Sequence, residues 1–176
     1  MSQPQVHIGL SNPKSPTNVG AVMRAAGCFG ADAVFYTGVR YDRAARFQTD
    51  TKNRTLSIPL TGVECLLEAV PEGMSIVCVE LVEGASALTD FQHPDNAFYV
   101  FGPEDGTVSQ NVIDRADSVV YIPTVGCLNL AATVNVLLYD RLLKSGQASG
   151  GDALIRQSRD VNNRVKVKEA GGVTGS

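Results

Sequence analysis

Val119-Val-Tyr-Ile-Pro-Thr-Val-Gly-Cys-Leu-Asn-Leu-Ala-Ala-Thr-Val-Asn-Val-Leu-Leu-Tyr-Asp140 reads as a strand, a tight turn and a long helix. The β-branched run Ser118–Ile122 stops at Pro123, which has no N–H to give a sheet ladder. A Thr-Val-Gly loop follows, and Asn129 opens an apolar helix predicted to reach Lys144. Asn135 is a poor residue for a helix interior, so it either makes a buried polar contact across a subunit interface or faces solvent.

The same alternation recurs upstream. Val6–Leu10, Ala33–Thr37, Ser75–Leu81 and Ala97–Phe101 are short apolar runs that read as buried strands, and Asn18–Phe29, Val63–Ala69 and Ser109–Arg115 carry helical spacing. Strands alternating with helices predict an α/β domain, here residues 1–145, whose mostly parallel sheet is covered by helices on both faces. In such sheets ligands bind beyond the carboxyl ends of the strands. Residues 146–176 are expected to form a flexible SGQASGG linker and a basic tail, with helical potential over Asp152–Lys168 and a disordered GGVTGS end.

Composition narrows the function classes. At 176 residues and 44% hydrophobic content, one domain with a tail is expected. Cys28, Cys65, Cys78 and Cys127 stand singly in apolar surroundings, which reads as reduced core thiols of a cytoplasmic protein. No apolar run approaches the roughly 18 residues of a spanning helix, and MSQPQVHIGL lacks a secretory pattern, so no membrane role is expected. GxGxxG, GxxxxGK[ST] and GxSxG are absent. His7 lies in a strand and His93 in a loop without ligand spacing, so both read as packed or solvated residues and no metal is expected.

Charge is segregated along the chain. The net charge is −3, which argues against a nucleic-acid binder. Yet Arg40, Arg43, Arg46, Lys52 and Arg54 face only Asp42 and Asp50, a local +3, and Arg141–Lys168 carries +5, while Glu64–Asp117 carries −10. The two basic stretches form either a footprint for a polyanion or two solvated faces.

Three strand-end segments stand out. Asn12-Pro-Lys-Ser-Pro-Thr-Asn-Val-Gly-Ala-Val-Met-Arg-Ala-Ala leads from the first strand into a helix that Pro16 delays and Asn18 is expected to cap. Arg24 sits among small apolar residues of that helix, either meeting a partner or snorkelling to the surface. At the end of the strand Ala97–Phe101, Gly102 permits close backbone approach, Pro103 stiffens the turn and Glu104 stands at its tip; alone, such a triplet is also an ordinary loop. The third segment is the one that includes Asn129.

In order and spacing the three segments resemble the motifs of the SpoU/TrmH-type RNA ribose 2′-O-methyltransferases of the SPOUT class, over about residues 5 to 144. The carriers are N-x-G-A-x-x-R-A-A at Asn18–Ala26, G-P-E at Gly102–Glu104, and I-P followed by L-N-L-A at Ile122–Ala131. The resemblance implies an S-adenosylmethionine-binding domain with a C-terminal trefoil knot, a homodimer with the cofactor pocket beside the subunit interface, and an RNA substrate; with no separate RNA-binding domain evident in the sequence, a compact tRNA is slightly favoured over rRNA. It implies cofactor contacts at Glu80, Leu81, Gly102, Ile122, Cys127 and Leu128, several through backbone groups. Arg24 would be the catalytic arginine, with Asn18, Glu104 and Asn129 completing the site. The loop Thr124–Cys127 is several residues shorter than in most members, with Cys127 where Ser is usual.

A ribose hydroxyl attacking a sulfonium methyl in line needs positioning and stabilisation of developing negative charge. A guanidinium stays protonated and offers no acceptor, so Arg24 is expected to act as an electrostatic clamp while the proton leaves to phosphate or water. The Arg40–Arg54 stretch is expected to contact RNA phosphates; the Asp152–Lys168 tail adds a second contact or is a solvated tail. A non-catalytic RNA-binding relative with a remodelled cofactor pocket and a knotless flavodoxin-like small-ligand domain are the competing readings.

Overall fold

A computed structural model describes residues 3–46 and 58–168. The chain divides into two units, Met1–Gly146 and Gln147–Ser176.

The first unit is built on a seven-stranded sheet. Its strands are β1 (Val6–Leu10), β2 (Ala33–Tyr36), β3 (Leu60–Gly62), β4 (Ser75–Val79), β5 (Ser86–Ala87), β6 (Ala97–Phe101) and β7 (Ser118–Tyr121), in the order β3-β2-β1-β6-β4-β7-β5, with every adjacent pair parallel. The helices are α1 (Pro16–Phe29), α2 (Arg40–Ala45), α3 (Gln110–Arg115) and α4 (Leu130–Lys144). The period of two explains the layers. Ala97, Tyr99 and Phe101 of β6 join Val6, Ile8 and Leu10 of β1 beneath α1 and α4, while Phe98 and Val100 face Cys78, Leu66 and α3's Val112 and Ile113. Gly9 leaves room for the Phe98 ring, since a Cβ there would lie 2.6 Å from it.

The sheet and most helices follow the sequence pattern; the departures have local causes. Ser15, not Asn18, caps α1, accepting from the Asn18 N–H at 3.3 Å, and Pro16 occupies the first turn, where its missing N–H costs nothing. The helix expected over Val63–Ala69 shrinks to one 3₁₀ turn, Leu67–Ala69, because Val63 N donates to Tyr36 O and continues the β3 ladder, and Pro71 closes the other end. Helix α2 and the short edge strands β3 and β5 were not anticipated. Cys78 is the only buried thiol, pushed up to about 12 by burial; Cys28 and Cys127 are exposed, correcting the expectation that all four are core thiols. Cys28 lies on α1's outer face, and Cys127 in the loop before α4.

His93 is a packed residue. It lies between the Tyr99 hydroxyl (2.7 Å) and Asp140 of α4 (2.8 Å), while Arg141 donates to Tyr99 (3.0 Å) and to Pro94 and Asp95 carbonyls. This network ties the last turns of α4 to the segment before β6. Asn135 is on α4's exposed face and donates back to Ala131 O at 2.8 Å.

The second unit contains α5 (Asp152–Ser158). The helical potential of Asp152–Lys168 ends there, because Val161-Asn162-Asn163 is a poor helix run and Asp160 takes the Asn162 N–H in a local turn. Among the described residues no helix is long and apolar enough to cross a membrane.

Candidate active site

The carboxyl ends of the neighbouring strands β6, β4 and β7, with the first turn of α4, enclose a cavity of about 250 Å³. Val79–Leu81 form one wall, Phe101–Glu104 with Gly106 a second, and Tyr121, Ile122, Thr124 and Cys127–Leu130 the third; Asn18 and Thr133 reach in from α1 and α4. This is where a parallel sheet presents ligand sites. Glu80, Leu81, Gly102, Ile122, Cys127 and Leu128 all line it, together with Asn18, Glu104 and Asn129. Arg24 does not. It lies on the exposed face of α1 and makes no hydrogen bond or ion pair with the described residues.

Two carboxylates organise the walls. Glu80 accepts from Leu81 N (3.0 Å) and Val108 N (3.3 Å), tying the end of β4 to the loop after β6. Glu104 accepts from Lys14 N (2.9 Å), Ser15 N (3.0 Å) and Asn18 Nδ2 (3.1 Å), which fixes the entry to α1. Asn129 caps α4, accepting from Ala132 N at 2.7 Å. The cavity's described lining is otherwise mainly apolar and includes no Lys, Arg or His. Such a pocket suits a cationic, nucleoside-like ligand better than a polyphosphate.

Burial works to raise the Glu104 carboxyl, but hydrogen bonds from its own backbone N–H, Asn18, Lys14 and Ser15 hold it below its ordinary value of 4.5. A depressed folded value means that its stabilisation is complete above the unfolded value and is lost as pH falls through the folded one. Glu104→Gln is therefore expected to lower Tm at neutral pH, with the gap from the parent constant above about pH 5 and narrowing at more acid pH. Thermal unfolding at a series of pH values checks this; a gap that does not change with pH contradicts it.

Next to the cavity, Asp105 and the α2 region form a second polar assembly that the sequence did not announce. Arg40 Nη1 meets both Asp105 oxygens, at 3.0 and 2.8 Å, and its Nη2 donates to Asn12 O at 2.5 Å. Tyr36 donates to Asp42 at 2.6 Å, and that bond, more than burial, pushes the phenol up to about 12. Arg43 and Arg46 are exposed. Lys52 and Arg54 lie outside the described residues. The signals were Asn12-Pro13 and Thr37-Gly38, turn dipeptides whose mutual contact only the parallel pairing of β1 and β2 reveals.

Residues 5–139 match the SpoU rRNA Methylase family. The chain belongs to that family. No curated protein matches it. Among solved structures, this SpoU family member is similar to the SpoU methyltransferase AviRb from Streptomyces viridochromogenes, with 20% identity, 83% of this chain and 62% of that one covered, and a TM-score of 0.66. It is similar to an AdoMet-bound rRNA methyltransferase from Sinorhizobium meliloti, with 18% identity, 81% and 57% covered, and a TM-score of 0.66. A structure described in terms of 2-OH methylation of C/U34 on tRNA is likewise similar, with 22% identity, 82% and 98% covered, and a TM-score of 0.66. The chain thus spans about six-tenths of the first two proteins. These likenesses show the fold.

Proposed function

We propose that this SpoU family chain is an S-adenosylmethionine-dependent methyltransferase acting on a ribose 2′-hydroxyl of structured RNA, with tRNA favoured over rRNA, in the cytoplasm. The observation that carries the reading is the strand-end cavity, with two carboxylates and no basic side chain among its described lining. The AdoMet-bound relative and the relative concerned with 2-OH methylation on tRNA support the cofactor and the ribose target.

The residues fit the cofactor. Gly102 cannot carry a side chain without meeting Glu80, which keeps the backbone bare beside the cavity. Glu80 and Glu104 put two carboxylates on the cavity lining, which would favour a cationic ligand, and Leu81, Ile122 and Leu128 would supply apolar surface for a nucleoside. Once bound, the cofactor supplies an electrophilic methyl group. Asn18, Glu104 and Asn129 orient the groups at the rim, and exclusion of water by the apolar walls strengthens their electrostatics.

Arg24 completes the site from a second copy of the chain. Val136, Tyr139 and Leu143 form an exposed apolar stripe on α4, Tyr139 being 58% exposed, and α4 packs against α1. A homodimer closed over that stripe brings Arg24 of one protomer to the cavity of its partner. There the guanidinium grips phosphate and the nucleophilic oxygen while the proton passes to phosphate or water. Arg43 and Arg46 hold RNA phosphates, and the exposed basic residues of the second unit add a further contact. The trefoil threading of the segment after Ile122 belongs to the same reading.

The test is methyl transfer. Incubated with methyl-labelled S-adenosylmethionine and RNA from a strain lacking this protein, the chain is expected to put label into a single 2′-O-methylnucleoside, identified by mass spectrometry. Label in a base, or none in RNA, contradicts the proposal.

A further inference from the structure

Arg40 reads in the sequence as one of five phosphate-binding cations, yet both terminal nitrogens of its fork are already engaged within the protein. Nη1 spans the Asp105 carboxylate and Nη2 reaches the Asn12 carbonyl, while Nε is enclosed with no partner among the described residues. The Arg40 side chain is 30% exposed, so a phosphate reaching it would have to compete with the bonds to Asp105 and Asn12.

What the fork joins is informative. Asp105 adjoins Glu104 in the loop whose Gly102, Pro103, Glu104 and Gly106 line the cavity. Arg40 is the first residue of α2, which carries the exposed Arg43 and is followed directly by the exposed Arg46. Asn12 sits in the left-handed region at φ 46° and donates its N–H to Thr37 Oγ1 at 3.0 Å. A Cβ on Gly38 would come within 2.1 Å of Asn12 Oδ1, so the loops after β1 and β2 interlock with no space between them. Adjacent carboxylates therefore grip neighbouring elements: Glu104 holds the entry to α1, and Asp105 holds the entry to α2.

We propose that Arg40 is a positioning residue that couples occupancy of the cavity to the placement of α2, so that bound cofactor tightens RNA binding through Asp105 and Arg40. This rests on the proposed function. A cofactor against Gly102–Glu104 immobilises that loop; Asp105 then presents a fixed carboxylate, and α2 holds Arg43 and Arg46 in register with the RNA. Reciprocity requires RNA to tighten cofactor binding by the same factor.

The experiment measures RNA affinity of the full chain with and without S-adenosylhomocysteine, a ligand that cannot react. The parent is expected to bind RNA about fivefold more tightly, or better, with the ligand present. Arg40→Ala, Arg40→Lys and Asp105→Asn are expected to bring that ratio to one, lysine failing because a point charge cannot span carboxylate and carbonyl together. Arg43→Gln with Arg46→Gln is expected to weaken RNA binding equally with and without ligand, leaving the ratio intact. A lysine variant with parental affinity and ratio makes Arg40 a phosphate contact and overturns the proposal, as does a parental ratio of one. A parent that binds neither ligand contradicts the proposed function itself.

Discussion

Mixed by co-expression, Arg24→Ala and Gly102→Val chains are expected to regain about a quarter of the parental methyl-transfer activity, although each variant alone is nearly inactive. The expectation follows from where the two residues stand. Gly102 lines the cavity; Arg24 is outside it, on the exposed face of α1. In a random mixture about half the dimers are mixed, and in each of those one site combines an intact cavity with an intact arginine. Losing a clamp on developing negative charge costs on the order of 10²–10³ in turnover, so the recovered activity stands far above either variant. Activity that never recovers on mixing places Arg24 in its own protomer's site and removes the dimeric assembly from the mechanism. Arg24→Lys keeps the charge but loses the fork; parental turnover with unchanged substrate binding would rule out the clamp.

Gly102→Val is the second large effect. A Cβ at this position would lie 2.8 Å from Glu80 Oε2, 3.3 Å from Val108 N and 3.5 Å from Thr107 C. The Glu80 carboxylate can swing away, but only by releasing its hydrogen bond to Val108 N, and the backbone of residues 107 and 108 cannot follow without moving the loop that forms the cavity wall. The two further methyl groups of valine add to that crowding. Cofactor affinity is expected to fall by about a hundredfold or more, equivalent to roughly 2.7 kcal/mol. The same crowding, with the loss of the Glu80–Val108 hydrogen bond, is expected to lower the thermal transition without ligand by a few degrees while leaving it cooperative, since β6 itself stays paired. Calorimetric titration beside a melting curve separates the two effects; retained affinity contradicts the assignment of Gly102 to the cavity wall.

The central strands were legible because β6, β4 and β1 are buried on one or both faces and leave short apolar runs bounded by turn residues. Strand β5, two residues long, leaves no periodic signal at all. Val63–Ala69 misled because its spacing is helical, whereas the tertiary pairing of Val63 with Tyr36 decides its conformation. Asn18, Gly102, Glu104, Ile122, Cys127, Leu128 and Asn129 were found through three motifs distant in sequence and Glu80 and Leu81 through the resemblance, and the parallel order β1-β6-β4-β7 brings them together. Two features resisted. Exposure of Arg24 depends on how α1 lies on the sheet, which residue types do not state, and the commitment of Arg40 to Asp105 joins residues 65 positions apart. A basic run tells how many cations are present, not which of them the protein has already used.

Calorimetric titration of the unmodified chain with S-adenosylmethionine addresses the cavity most directly. Saturable binding of one molecule per chain is the expected result. Absence of any binding heat up to millimolar ligand, with the chain shown to be folded, would mean that the space between β6, β4 and β7 does not hold a methyl donor.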